Sequence, residues 1–282
     1  MEALLQLALA PVRDFFELAF LQRALLAGVV LGTVCSLLSV FVVLKNMAFI
    51  GQGISHAAFA GLALGLYVSE RAYRPDLGIY LISGLYCLGV AFLIGLVSRR
   101  GRVSEDSAIG IFFVSSMALG VILLSLRRGY TAEVFGYLFG SILAVSPADV
   151  WVILGVGALV GGLVIFFLKE LYAYTFDEEM AFIMGLPVGA LHFGLLALLA
   201  LTVVVAARVV GIVLVNALLI LPASTALALS ARFGRVVALA LAVGVGSSVL
   251  GLVLSNRLNL PSGATIVLLQ LMAFALAHLR RR

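Results

Sequence analysis

The sequence predicts an all-α protein that crosses a membrane about eight or nine times. Of its 282 residues, 64% are hydrophobic and only 11% are charged, whereas soluble domains are about 45–50% apolar and about 25% charged. The charged residues lie outside nine stretches of 19 to 23 residues each. Such a stretch, as a helix rising about 1.5 Å per residue, crosses the roughly 30 Å of hydrocarbon in a bilayer.

The nine uncharged stretches give the predicted spans in chain order. They cover residues 24–44, 47–68, 78–98, 107–126, 150–168, 188–207, 209–231, 236–256 and 258–279. A charge inside the bilayer costs at least about 2.5–3.5 kcal/mol, so the charges set the span limits. Arg208 alone separates two of the runs. An eight-span arrangement with one re-entrant segment therefore stays open.

The stretch before the first span, residues 1–23, is predicted to form an amphipathic helix that lies flat on the membrane. Its charged residues stand among many leucines: Glu2, Arg13, Asp14, Glu17 and Arg23. A signal peptide would begin with a basic region, which this stretch lacks. Residues 24–282 then form the membrane domain.

The cations between spans indicate the orientation. With nine spans and an external amino terminus, ten Lys and Arg residues fall on one side and eight on the other. The two densest clusters, residues 99–102 and 280–282, share one side. The positive-inside rule makes that side cytoplasmic.

Two segments between spans are long enough to fold by themselves. Residues 127–149 are largely aromatic and apolar and predict a short interfacial or re-entrant helix on the outer side. Residues 177–187, on the cytoplasmic side, begin with three acids and continue with apolar residues, which predicts a short amphipathic helix. Asp177 is its expected N-cap, and Gly185 with Pro187 is expected to stop it.

The chain carries no energy source of its own. A phosphate-binding loop needs a lysine directly after a glycine, and neither Lys45 nor Lys169 follows one. A proton- or sodium-coupled carrier usually has a carboxylate inside a span, and none of the nine stretches contains one. If the chain moves a solute against a gradient, another polypeptide must therefore drive it.

The motifs of an enzyme and of a nucleic-acid binder are missing as well. Ser55 and His56 are neighbours that point about 100° apart on a helix, so they cannot pair as nucleophile and base. No His-Glu-x-x-His string is present. The net charge of +5 comes from cations at the ends of apolar runs, without the aromatics of a nucleic-acid surface. Cys35 and Cys87 lie in apolar runs and are interpreted as small core residues.

The second span contains the main candidate for a binding site. Small residues recur along it at every fourth position: Gly53, Ala57, Gly61 and Gly65. Such a ladder allows another helix to approach closely. Gln52 and His56 lie on a neighbouring stripe, and imidazole with an amide oxygen suits a divalent transition metal. The alternative is that His56 only hydrogen-bonds a neighbouring helix.

The stretch 210–225 is the second polar region within the spans. Pro222 removes one amide and frees the carbonyl of Leu218, so the helix is expected to be kinked or broken where it faces protein or water. Together with a residue of the second span, its polar residues are candidates for lining a translocation path: Ser55, Asn216, Ser224 and Thr225. The alternative is a simple proline kink that a hydroxyl satisfies.

Taken together, five stretches resemble the membrane permease subunits of ABC importers for zinc, manganese or iron. They are residues 49–57, 137–143, 177–187, 210–224 and 260–265. The resemblance covers nearly the whole chain. It departs from the family pattern at Gln52, where many relatives have an aspartate four residues before the histidine.

The resemblance implies the ABC importer permease fold and a homodimer in the inner membrane of a prokaryote. It also implies two ATP-hydrolysing partner subunits and an extracytoplasmic metal-binding protein, whereas this chain itself would bind no cofactor. His56 and Gln52 would lie on the metal path, and residues 177–187 would be the coupling helix that docks onto the ATPase. The coupling residues are then Asp177, Glu178, Glu179, Met180, Ala181, Gly185 and Pro187.

Two other functions stay open at this point. The first is an importer of the same architecture that carries a metal chelate, haem or a vitamin, which would need a larger vestibule lined by aromatic residues. The second is a membrane scaffold or sensor subunit that transports nothing.

Overall fold

The computed structural model describes residues 18–72, 76–99, 101, 104–126, 140 and 145–280, and within these ranges every regular element is an α-helix. In chain order the helices are α1 (Ala19–Leu44), α2 (Ala48–Ala72), α3 (Asp76–Arg99), α4 (Glu105–Ser125), α5 (Pro147–Phe166), α6 (Leu168–Phe176), α7 (Glu178–Ile183), α8 (Val188–Val210), α9 (Ile212–Leu229), α10 (Phe233–Leu258) and α11 (Ser262–Arg280). The predicted all-α fold is confirmed.

Eight of these helices are long and apolar enough to cross a membrane, namely α1 to α5, α8, α10 and α11. They correspond to eight of the nine predicted spans. The remaining stretch, 209–231, forms the shorter helix α9, whose apolar part is Leu214–Leu229. The predicted eight or nine spans thus become eight long helices and one short one.

The first long helix begins earlier than predicted. Helix α1 starts at Ala19, and the side chain of Arg23 donates a hydrogen bond to the carbonyl of Ala19 within it. Residues 19–23 therefore extend the first span. The rest of the predicted amphipathic segment, residues 1–17, lies outside the described residues, as does most of the predicted outer helix at 127–149.

Helices α1, α2 and α8 form the centre of the bundle. In the most apolar part of each, 72%, 72% and 67% of the residues are buried, whereas the values for α4 and α5 are 22% and 28%. Close packing of α1 against α10 depends on two facing glycines. A Cβ at Gly244 would overlap the hydroxyl of Ser36 and lie 2.9 Å from the carbonyl oxygen of Gly32. The two backbones meet there because each helix carries a glycine at the crossing.

The small-residue ladder of α2 packs as the sequence predicted. A Cβ at Gly61 would lie 3.0 Å from the backbone of Ser83, and one at Gly65 would lie 3.2 Å from the backbone of Ile79, so both glycines let α3 approach. A Cβ at Gly53 would lie 2.9 Å from the side chain of Ile109 of α4. With this face of α2 fixed, its polar stripe is turned away from α3.

A single glycine separates α8 from α9. Helix α8 continues through Arg208 to Val210, and the break falls at Gly211, whose φ of 99° favours glycine. Gly140 and Gly263 both lie against Val210, where a Cβ on either would overlap its backbone. The boundary expected at Arg208 is therefore displaced by three residues. Pro222 lies inside α9 without ending it.

Contacts between distant segments define one end of the bundle. Lys45 and Arg99 both pair with Glu178, so the carboxyl ends of α1 and α3 lie beside α7. Phe233, at the start of α10, packs against Phe41 and against Phe176 of α6. We call this the inner end. Lys45, Arg99 and Glu178 meet at this end, and all three were assigned to the cytoplasmic side by the sequence prediction.

Candidate metal path and coupling helix

His56 lies in the third turn of α2 from the inner end. Its ring is half-buried and meets the ring of Phe113 of α4 edge-on, with the ring centroids 4.4 Å apart. Its Nδ1 atom is buried and has no hydrogen-bond partner among the described residues. Within the described part of the chain, Nδ1 of His56 therefore lacks the hydrogen bond to a neighbouring helix that would give this nitrogen a structural role.

Gln52 lies one turn nearer the inner end and is exposed. It lines a cavity of about 360 Å³ between α2 and α4, which we call the inner vestibule. The lining residues are Phe49, Gln52, Asp106, Ile109, Gly110 and Phe113. The sequence pattern does not mark Asp106, because this residue lies 54 residues from Gln52 and just outside a predicted span. The sequence did hold one clue: Gln52 and Asp106 both lie near the start of a helix that begins at the inner end, namely α2 and α4.

The four predicted path residues are not gathered around His56. The hydroxyl of Ser55, which is fully buried, donates a hydrogen bond of 3.1 Å to Oδ1 of Asn216, which joins α2 to α9. Thr225 donates to the carbonyl of Leu221 in its own helix. Ser224 is half-buried on α9. Among the described residues no group of three or more His, Cys, Asp or Glu could hold a metal ion.

Helix α7 is capped as the sequence predicted. The carboxylate of Asp177 accepts a hydrogen bond of 2.8 Å from the backbone N–H of Met180. At the other end, the N–H groups of Gly185 and Leu186 donate to the carbonyls of Phe182 and Ala181. Gly185 has a φ of 79°, and this pattern is the Schellman motif. The segment 177–187 therefore folds as one short capped helix.

The two faces of α7 differ sharply. Ala181 is only 1% exposed and packs into the bundle. The opposite face is apolar and open: Met180, Phe182, Ile183 and Met184 are 53%, 72%, 76% and 68% exposed. Pro187 and Glu179 are also exposed. An open apolar patch at the water-facing end of a membrane protein is typical of a protein-docking surface.

Glu178 is turned toward the bundle and joins α7 to two long helices. Its carboxylate accepts hydrogen bonds of 2.6 Å from Lys45 and 2.8 Å from Arg99. Burial raises the pKa of this carboxyl, but the hydrogen bonds and charges of Lys45 and Arg99 outweigh burial and hold the pKa below its ordinary value of 4.5. Of the three acids, Asp177 caps the helix, Glu178 anchors it, and Glu179 remains at the surface.

A buried tyrosine supports this anchor. Tyr174 of α6 is fully buried, and its hydroxyl is hydrogen-bonded to Nδ1 of His192 of α8 at 2.9 Å. The ammonium of Lys45 lies 4.2 Å from the centre of the Tyr174 ring and donates to the Tyr174 carbonyl. The ion pair of Glu178 thus continues into α6 and α8. Nothing in the sequence pattern marked these two residues.

Eight long apolar helices, a polar stripe on a central helix and a capped amphipathic helix at one end define a polytopic membrane permease. The chain belongs to the ABC 3 transport family, whose model matches residues 17–281. It is therefore a membrane permease subunit of the ABC transporter class and not a catalytic subunit.

Several relatives carry informative names. The chain is 40% identical over 259 residues to the manganese transport system membrane protein MntC of Halalkalibacterium halodurans, covering 92% of this chain and 86% of the relative. It is 37% identical to the manganese import system permease protein ScaB of Streptococcus gordonii, covering 76% of this chain and 74% of the relative. The chelated iron transport system membrane protein YfeD of Yersinia pestis is 36% identical, with 75% and 68% covered.

Two solved structures share the fold. PsaBC from Streptococcus pneumoniae in complex with Fab superposes with a TM-score of 0.84 at 33% identity, covering 95% of this chain and 94% of that chain. An inward-facing conformation of a putative metal-chelate type ABC transporter superposes with a TM-score of 0.73 at 15% identity. The second similarity concerns the fold alone.

Proposed function

We propose that this chain is the permease of an importer that passes a divalent transition metal, manganese in the first place, into the cytoplasm. The names of the relatives, which include manganese and iron systems but no zinc system among those described above, support manganese first and iron second. A metal-chelate importer has weaker support, from the name of the chelated iron relative and from the distant fold match, and none of the relatives named above is a haem or vitamin system.

The observation that carries this proposal is the unpartnered Nδ1 of His56 beside the inner vestibule. Neutral imidazole is a common ligand of manganese, iron and zinc, and the amide oxygen of Gln52 suits a hard cation. A site with so few ligands binds weakly. Weak binding favours transport, because an ion held tightly in the path would not be released.

The proposal includes partners that the open apolar face of α7 fits. Two ATP-hydrolysing subunits would dock at the inner end of a homodimer of this chain, in the inner membrane of a prokaryote. An extracytoplasmic metal-binding protein would deliver the ion at the other end. Aromatic and methionine side chains are enriched at the centres of such interfaces, and the exposed Met180, Phe182 and Met184 supply that chemistry at α7.

Movement of α7 would reach the path through its anchors. Because Glu178 holds α7 to the ends of α1 and α3, a shift of the docked ATPase would be passed to these helices. Helix α3 packs along the glycine ladder of α2, which carries His56 on its other side. The ATPase cycle would in this way open the path first to one side and then to the other.

The test is manganese uptake by the complex of this chain with its ATPase subunits, reconstituted in proteoliposomes. His56→Ala should lower uptake by roughly 10–100-fold, the usual effect of removing a group that binds or orients a metal. His278→Ala is the matched control, because His278 lies exposed at the inner end of α11 and stacks on Phe274. Normal uptake by His56→Ala with an intact complex would remove the metal path from the proposal.

A further inference from the structure

We propose that the inner vestibule is a transit site for a hydrated divalent cation, with Asp106 as the carboxylate that attracts the ion and Gln52 as its partner on the opposite wall. The inference rests on the proposed function, which it deepens by adding a site and a residue at the point where the ion leaves the path. Nothing in the motifs described above assigns a role to Asp106.

The polar groups of the vestibule are few and come from two helices. Of its six lining residues, only Gln52 and Asp106 have polar side chains, one on α2 and one on α4. The rest of the wall is Phe49, Ile109, Gly110 and Phe113. A carboxylate and an amide oxygen in an otherwise apolar wall are oxygen donors of the kind that Mn²⁺ and Mg²⁺ prefer.

The vestibule is linked to His56 through one aromatic ring. Phe113 belongs to its wall, and the ring of Phe113 touches the ring of His56. Gln52 lies one helical turn from His56 on the same stripe of α2. His56, Gln52 and Asp106 therefore form a series of donors that leads from within the membrane toward the inner end.

The volume of the vestibule fits a hydrated ion. A six-coordinate divalent cation with a full shell of six waters occupies about 200 Å³, since each water takes about 30 Å³. The vestibule offers about 360 Å³. An ion leaving His56 can thus regain water while Asp106 and Gln52 interact with it through that shell, which lowers the cost of dehydration and rehydration along the path.

A structural role for Asp106 has to be separated from this one. The residue lies in the first turn of α4, directly after the N-cap Ser104 and Glu105, where any carboxylate interacts favourably with the helix dipole. A double variant distinguishes the two roles. Asp106→Asn combined with Ser107→Asp keeps both the net charge and an acid in the first turn, but moves the carboxylate about 100° around α4 to a residue that does not line the vestibule.

The experiment measures Mn²⁺ binding to the purified full chain in nanodiscs and Mn²⁺ uptake by the reconstituted complex. Asp106→Asn should weaken binding and slow uptake by about tenfold, the scale of losing a group near a bound metal. Asp106→Asn with Ser107→Asp should be equally impaired. Asp106→Asn with Gln52→Asp returns a carboxylate to the opposite wall of the same cavity and should restore both measurements to within about threefold of the wild type.

Two results would overturn the inference. One is an Asp106→Asn variant within about twofold of the wild type in both measurements. The other is recovery through Ser107→Asp that equals recovery through Gln52→Asp, because only a first-turn charge would then matter. If the wild-type complex moves no metal, the proposed function is refuted. The measurement of Mn²⁺ binding would then still show whether the vestibule binds the ion. If Asp106→Asn leaves both measurements unchanged while His56→Ala lowers uptake, the vestibule is refuted and the proposed function stands.

Discussion

Replacing Glu178 with glutamine removes both ion pairs that hold α7 to α1 and α3, while the size of the side chain is kept. The two distances are 2.6 Å to Lys45 and 2.8 Å to Arg99, and the side chains of Glu178, Lys45 and Arg99 are 38%, 18% and 35% exposed. Pairs as exposed as these are screened by solvent and contribute about 0.2–1 kcal/mol each. We therefore expect Glu178→Gln to lower the stability of the fold by about 0.4–2 kcal/mol, the sum over the two pairs.

The assay is the thermal midpoint of the purified chain in detergent as a function of pH. For a chain of this size 1 kcal/mol corresponds to about 2–4 °C. Because the pKa of Glu178 is lowered on folding, its contribution is complete above the ordinary value of 4.5 and is lost as the pH falls through the lower folded value. The midpoints of Glu178→Gln and the wild type should differ by a constant amount at pH values above the ordinary pKa and converge as the pH falls through the lowered pKa of the folded chain.

Glu179→Gln is the matched control, since Glu179 is exposed and makes no ion pair within the described part of the chain. It should leave the midpoint unchanged at every pH. In the reconstituted complex, Glu178→Gln should also lower the amount of metal moved per ATP hydrolysed, because α7 is then held less firmly to α1 and α3. Equal midpoints for Glu178→Gln and the wild type at pH 7, or an equal loss in Glu179→Gln, would contradict the anchoring role.

Two further predictions concern packing and docking. Gly244→Ala should destabilise the chain by about 1–3 kcal/mol, because the added Cβ has no room against α1. Gly246→Ala is the control and should leave the stability unchanged, since no atom lies within 4 Å of the added Cβ. Similar thermal midpoints for the two variants would contradict this prediction. The double variant Phe182→Ser with Ile183→Ser should weaken ATPase binding in co-purification by about tenfold or more. Leu279→Ser is the control and should leave binding unchanged, although Leu279 is also exposed at the inner end. If the double variant still binds the ATPase, the ATPase docks elsewhere.

The helices were predictable because their cause is local in the sequence. A charge in hydrocarbon is costly wherever the helix packs, so uncharged runs mark the spans without any knowledge of their neighbours. The exact helix ends were less predictable, because a helix continues past the hydrocarbon until its backbone groups are capped. Helix α1 therefore starts at Ala19, five residues before the uncharged run, and α8 passes Arg208 and ends only where Gly211 turns the chain.

The short helix at 177–187 was predictable for the same reason. Its N-cap and its glycine stop act within a few residues of sequence, and Asp177 and Gly185 perform both roles in the structure. The ladder of α2 was equally visible, since helical periodicity alone places its four residues on one face.

The contacts that give the site its chemistry were not predictable. Three successive acids look alike in the sequence, and only the fold selects Glu178, because its partners lie 133 and 79 residues away in the chain. Asp106 comes to line one cavity with Gln52 only when α2 and α4 pack side by side. The pairing of Ser55 with Asn216 likewise depends on how α9 returns through the bundle.

The helices that link the inner end to the polar stripe of α2 are joined by very short connections, one of which is Gly211. Four residues connect α7 to α8, and one residue connects α8 to α9. Helix α8, with 23 residues, is a rod of about 34 Å, and the hydrogen bond of Asn216 to Ser55 ties the helix after it to α2. Because α8 is joined this closely at both ends, it cannot tilt without displacing the segments to which it is joined. A movement of the inner end is therefore passed on to Ser55, the residue next to His56.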